Sequence, residues 1–171
     1  MKKGYRMNRR EFTGFAIAGI GMLALGRAIC FESAEAAAAA IMKITKSNEE
    51  WKKMLTDEQY RVLREEGTER PFSSPLNHEK RTGKFVCAGC GLELFSSNTK
   101  FDSGTGWPSF YQAIEGHVET KSDTTLMMQR TEYHCAQCGG HQGHVFDDGP
   151  KPTGMRYCNN GLALNFIPDK V

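Results

Sequence analysis

Two near copies of one short pattern, Cys87-Ala-Gly-Cys90-Gly91 and Cys135-Ala-Gln-Cys138-Gly139, constrain the fold more than any other feature of this chain. Two residues between paired cysteines is the spacing at which a tight turn aims both sulfurs at one ion, and the glycine that follows permits the positive φ such a knuckle needs. Four thiolates suit Zn²⁺ in a closed tetrahedral site, about 2.3 Å from each sulfur, with no position open to a substrate. The competing readings are a pair of disulfides or a single redox-active Cys-x-x-Cys. The 44 residues between Cys90 and Cys135 are too many for one finger, so the predicted zinc joins two distant hairpins of one domain and acts as a staple.

Cys158, in Arg156-Tyr157-Cys158-Asn159-Asn160-Gly161, is then left unpaired and is a candidate nucleophile. A cysteine attacks as thiolate, and Arg156 is the local cation able to lower its pKa. If residues 156–166 form a strand, the period of two puts Arg156, Cys158 and Asn160 on one face, and Leu162, Leu164 and Phe166 continue it as the clearest alternation in the chain. His141 and His144, in His141-Gln142-Gly143-His144-Val145-Phe146, are the candidate proton donors. Taken singly, either histidine is more often structural or solvated.

The start of the chain has a different character. A basic opening leads into an apolar stretch from Phe12 to Leu25 and then Ser33-Ala34-Glu35-Ala36, the three-part layout of an export signal with an Ala-x-Ala cleavage site. Arg9-Arg10-Glu11-Phe12 resembles the twin-arginine signal, whose translocon carries folded proteins and would let zinc bind before export. The expected organisation is an export signal over residues 1–36, an alanine-rich linker over 37–43 and one domain over 44–171, delivered to the periplasm. An uncleaved membrane anchor is the alternative, although the apolar stretch is short for a span. Cys30 follows Ile29 rather than the small residue a lipoprotein signal wants, and it is expected to leave with the leader.

In the body, Ser47 with Glu50 and Thr56 with Gln59 form successive capping boxes, predicting two short helices, the second stopping at Gly67. From Phe85 onward, short apolar runs alternate with Gly, Asn, Asp and Pro clusters, including Leu92 to Phe95, His117-Val118, Thr124 to Met128 and Leu162 to Ile167. The pattern predicts a mainly β, α+β fold: a small antiparallel β-sheet or barrel-like domain with short N-terminal helices, stapled by the four-cysteine zinc site. The net charge is +2, but the first 36 residues carry six basic against three acidic groups, leaving a body near −1. Such a body lacks the basic face of a nucleic-acid binder, and a monomer is expected.

Gly104-Thr105-Gly106-Trp107-Pro108-Ser109-Phe110, His144-Val145-Phe146-Asp147-Asp148-Gly149-Pro150 and Gly154-Met155-Arg156-Tyr157-Cys158-Asn159-Asn160-Gly161 closely resemble the motifs of type B methionine sulfoxide reductases. The resemblance runs from about Ile44 to Val171, and the two knuckles match the family's zinc site. It implies a β-rich fold and reduction of methionine R-sulfoxide, free or in oxidised proteins, as a repair activity. By the same resemblance Cys158 attacks sulfur, His144 protonates the departing oxygen, Asn160 and Arg156 assist, and Trp107, His141 and Phe146 form the substrate site, with Trp107 receiving the methyl group. The chemistry agrees, because a sulfoxide oxygen leaves poorly until protonated and an aromatic face suits an S-methyl group. The product on the enzyme is then a sulfenic acid on Cys158.

Two departures qualify the resemblance. Many relatives carry a resolving cysteine where this chain has Thr105, so an external thiol, thioredoxin-like or of the glutathione type, is expected to reset the enzyme. Leu126 stands about where the related motif often has histidine, which puts a second imidazole in doubt. A zinc-ribbon binding module is the rival from another class, but it has no need of an arginine-flanked free cysteine. A thiol-disulfide oxidoreductase would keep a metal-free Cys-x-x-Cys near a βαβ pattern, which is missing.

Overall fold

The computed structural model describes residues 41–125 and 129–170, so the expected leader, with Arg9, Arg10 and Cys30, and Leu126 lie outside the described residues. Helices α1 (Asn48–Met54) and α2 (Asp57–Glu65) start where the capping boxes predict. The Ser47 hydroxyl accepts the Glu50 N–H at 3.2 Å while the Glu50 carboxylate accepts the Ser47 N–H at 2.7 Å, and Thr56 and Gln59 repeat the exchange at 3.2 Å each way. Helices this short are not stable alone. Burial of Trp51, Val62 and Leu63 holds them to the domain. The second helix closes one residue before Gly67, with Glu66 in the left-handed region at φ 55°.

Among the described residues nine antiparallel strands follow: β1 (Gly83–Cys87), β2 (Glu93–Ser96), β3 (Lys100–Phe101), β4 (Ser109–Phe110), β5 (Val118–Asp123), β6 (Arg130–Cys135), β7 (His141–Phe146), β8 (Arg156–Asn159) and β9 (Leu164–Pro168). They form a three-stranded sheet, β2-β1-β9, and a six-stranded sheet, β3-β4-β8-β7-β6-β5. Aromatic rings from both sheets make the core. Phe95 of β2 stacks on Phe110 of β4 with centroids 4.2 Å apart, and Phe85 of β1 meets the same ring edge-on at 4.9 Å. Phe85, Phe95, Phe110 and Tyr133 are fully buried. Truncating such a ring to alanine typically costs about 3–5 kcal/mol, so this seam contributes substantially to the adhesion of the two sheets.

The single strand expected over residues 156–166 is two strands in different sheets. Between β8 and β9 a 3₁₀ turn, Gly161–Ala163, redirects the chain. The carboxylate of Glu69 accepts the Gly161 and Leu162 N–H groups at 2.5 and 3.1 Å, removing them from any ladder. A Cβ at Gly161 would fall 1.9 Å from the Ser74 hydroxyl, so only glycine lets the turn settle there. Leu162 therefore leaves the expected alternation, while Leu164 and Phe166 keep it within β9. Of the apolar run expected from Thr124 to Met128, Thr124 and Thr125 do not continue β5, because the strand ends at Asp123 and its side chain accepts the Thr125 N–H at 2.9 Å; residues 126–128 lie outside the described residues.

Candidate active site and metal centre

Each knuckle is the turn of a hairpin. Cys87 ends β1 and Cys135 ends β6, and the turns close by Gly91 N–H to Cys87 C=O at 2.8 Å and Gly139 N–H to Cys135 C=O at 2.9 Å. Gly91 and Gly139 have φ of 80° and 68°, the left-handed conformation expected of them. The four Sγ atoms lie within 4.8 Å of one another. Their closest approaches run between knuckles, Cys87 to Cys138 at 3.7 Å and Cys90 to Cys135 at 3.5 Å. A disulfide needs about 2.05 Å. Sulfurs about 2.3 Å from one zinc stand about 3.8 Å apart in a tetrahedron, so the spacing fits a structural metal site and not a bridge. Because one knuckle lies on each sheet, an ion held here pins the two sheets together.

Cys158 lies on β8, which is hydrogen-bonded on both sides, opposite Ser109 of β4 and His144 of β7. Residues directly opposed across an antiparallel pair project to the same face, so register alone brings the His144 imidazole alongside the Cys158 thiol. The strands approach closely there. A Cβ at Gly143 would fall 2.0 Å from the Cys158 carbonyl oxygen, so the glycine before His144 is required for the pairing.

A cavity of about 140 Å³ opens on this face, lined by Cys158, His144, Trp107, Phe146, Asn160 and Arg130 among others. Larger hollows of about 670 and 440 Å³ contain no cysteine. The Trp107 indole N–H donates to the Glu69 carbonyl at 3.2 Å, which fixes the ring. Asn160 is held at both ends of its amide: Oδ1 accepts the Glu69 N–H at 3.0 Å and Nδ2 donates to the Gln142 carbonyl at 3.0 Å. It shapes the cavity wall by fixing the backbone on either side.

Two of the predicted site residues do not line the cavity. Arg156 donates through Nε and Nη2 to both oxygens of Asp148, at 2.7 and 2.8 Å, with its guanidinium 4.3 Å from the centroid of the Phe146 ring. His141 is buried, and its Nδ1–H donates to Glu132 Oε1 at 2.7 Å. Its ring meets that of His144 edge-on with centroids 5.6 Å apart. Burial raises the Glu132 carboxyl, but hydrogen bonds from His134 and His141 outweigh it and hold the group at about 2.

Arg156 does act to lower the Cys158 thiol, as expected, but burial outweighs it together with the smaller effect of Thr105 and raises the group above its usual 9.0. Burial also pushes His144 below 6.5, against the opposing effect of the hydrogen bond it donates to Asp123. The resting pair is a thiol beside a neutral imidazole.

Sequence reasoning missed Arg130, Thr68 and Asp123. Arg130 and Thr68 line the cavity, and Asp123 Oδ2 accepts from His144 Nε2 at 2.7 Å. None belongs to the quoted motifs, and strand register brings the pair on β5 and β6 to the site. A buried network also connects the metal centre to this site. Gln142 donates to Cys87 Sγ at 3.5 Å, and its carbonyl accepts the Asn160 N–H at 2.8 Å.

Comparison with known proteins adds a family. The model described as the SelR domain matches residues 55–168. A curated relative in Methanosarcina barkeri, named peptide methionine sulfoxide reductase MsrB, is 60% identical over 124 residues, 72% of this chain and 87% of that protein. A Pseudomonas putida protein of the same name is 58% identical over 130 residues, covering 75% and 97% of the two chains. Among solved structures, the Mis18 "Yippee-like" domain matches with a TM-score of 0.44 and 17% identity, over 53% of this chain and 100% of that one.

Proposed function

The chain belongs to the type B peptide methionine sulfoxide reductases, oxidoreductases that return methionine (R)-sulfoxide to methionine with electrons from a thiol, and from that premise we propose that Cys158 is the atom oxidised. The observation that carries this reading is the direct opposition of Cys158 and His144 in one small cavity walled by Trp107 and Phe146. The sulfoxide methyl group packs on the aromatic walls. The thiol proton passes to His144 as sulfur attacks sulfur, and His144 returns it to the sulfoxide oxygen. Oxygen then moves to Cys158, giving the methionine thioether and a sulfenic acid, with no net proton exchanged. One external thiol condenses with the sulfenic acid to release water. A second reduces the mixed disulfide and restores Cys158.

Four cysteines at this spacing would hold Zn²⁺, which supplies cross-linking strength and takes no part in the reaction. The physiological role that fits is repair of oxidised proteins by a monomer exported to the periplasm through the twin-arginine route. Changing Arg9 and Arg10 to lysine should strand precursor in the cytoplasm, and normal export would point to another pathway. For the chemistry, Cys158→Ser should abolish sulfoxide reduction while fold and metal content persist. His144→Ala should slow turnover by roughly 10²–10⁴-fold. Substantial turnover by the serine variant would move the oxidised atom elsewhere.

A further inference from the structure

Asp123, the last residue of edge strand β5, is held as an acceptor on both oxygens. Its Oδ1 takes the Thr125 N–H at 2.9 Å and the Thr125 hydroxyl, and its Oδ2 takes Arg130 Nη2 at 2.7 Å and His144 Nε2 at 2.7 Å. The side chain is only 15% exposed, as is that of His144. These bonds, led by that of Thr125, keep the carboxyl well below the usual aspartate range. An ionised carboxylate can only accept, so the His144 nitrogen that meets it must carry the hydrogen. We propose that Asp123 is a positioning residue for the reductase reaction: it fixes His144 as the Nε2–H tautomer and leaves Nδ1 as the nitrogen that exchanges a proton with Cys158 and the sulfoxide oxygen. The proposal rests on the reading of Cys158 and His144 given above.

The arrangement parallels the Cys-His-carboxylate logic, in which an acid that never touches substrate orients the base and stabilises its cation. The sheet builds it here from three strands, β5 for Asp123, β7 for His144 and β8 for Cys158. The charged or titratable groups packed around His144 are Asp123 on β5, Arg130 and Glu132 on β6, His141 on β7 and Cys158 on β8. Arg130 and His141 disfavour the imidazolium, and Asp123 favours it. Without the carboxylate, His144 would form a poorer cation during proton transfer and could also adopt the wrong tautomer.

The test combines one variant with one spectrum. Asp123→Asn keeps an oxygen acceptor for Thr125 but removes the charge and allows either tautomer. Its kcat should fall on the order of 10–10²-fold, a part of the usual weight of acid–base catalysis, with KM within about twofold. The His144 titration, followed by ¹⁵N imidazole shifts, should move to lower pH. In the unaltered protein near neutral pH those shifts should report Nε2–H. A predominant Nδ1–H tautomer, or an Asp123→Asn enzyme with kcat within twofold of the parent, would overturn the proposal. If Asp123→Asn does not fold, the tautomer in the unaltered protein decides. Parent-like turnover by His144→Ala would instead refute the role of His144 itself, a separate failure from that of Asp123.

Discussion

Arg156 spends its charge on Asp148, gripping both carboxylate oxygens two residues before the nucleophile. That pairing explains why an arginine beside Cys158 does not make it acidic: burial raises the thiol, the arginine lowers it, and Asp148 raises it again. Alkylation of Cys158 by iodoacetamide should therefore have a midpoint above 9, against about 8.5 for an unfolded thiol. Asp148→Asn should move the midpoint down and Arg156→Met should move it up. Shifts of the same sign in both variants would contradict this balance.

Between the titrations of His144, below 6.5, and Cys158, above 9.0, the catalytic pair holds one proton to move. As pH falls through the lower value the imidazole is already protonated and cannot accept from the thiol. As pH rises through the upper one the proton is gone. Turnover should thus show a broad plateau with limbs outside about 6.5 and 9, and a narrow bell centred near 6.5 would assign the limbs to other groups.

Loss of the metal should unfold the domain. Structural zinc binding is worth an apparent ~10–16 kcal/mol, whereas a whole domain is stable by only ~5–15 kcal/mol, so the zinc-bound staple is comparable to the entire margin. Cys87→Ala and Cys135→Ala should each purify with less than one zinc per chain by elemental analysis and lack a cooperative melt near that of the parent. A metal-free protein melting like the parent would remove zinc from the account.

Thr105 is a neighbour of Cys158, near enough for its side chain to lower the thiol. After one equivalent of methionine sulfoxide and no reductant, a chain spanning residues 37–171 should carry a sulfenic acid that dimedone traps. Thr105→Cys in that chain should instead lose two mass units and resist dimedone, given Cα atoms within the roughly 4.4–6.8 Å a disulfide tolerates. Continued dimedone labelling of that variant would show that the loop cannot close the bridge.

Helix starts and knuckles were legible because their signals are local: a hydroxyl three residues before a Glu or Gln, a glycine after a second cysteine. The strand pairing around Cys158 was not. β5, Val-Glu-Thr-Lys-Ser-Asp, is a mostly exposed edge strand with no apolar alternation to betray it, and β6 hides its buried Glu132 and Tyr133 in a charged run. Asp123 and Arg130 reach the site only through the register of those two strands. The break at Gly161 was equally invisible, since its cause is Glu69, 92 residues away in sequence.

Cys158 has no freedom to travel, because β8 is laced to a neighbour on either side and the hollow above it holds only about 140 Å³. That volume takes the tip of one side chain and little backbone, so the oxidised methionine must come to the enzyme. A sulfoxide on a loose or frayed segment can reach the thiol directly. One packed inside a folded client reacts only as often as that client opens, and local opening spans from almost no cost at loops to the full cost of unfolding in cores. The enzyme is in this sense a reader of its clients' conformational state: among equally oxidised sites, it will clear the ones that have already lost their shape first.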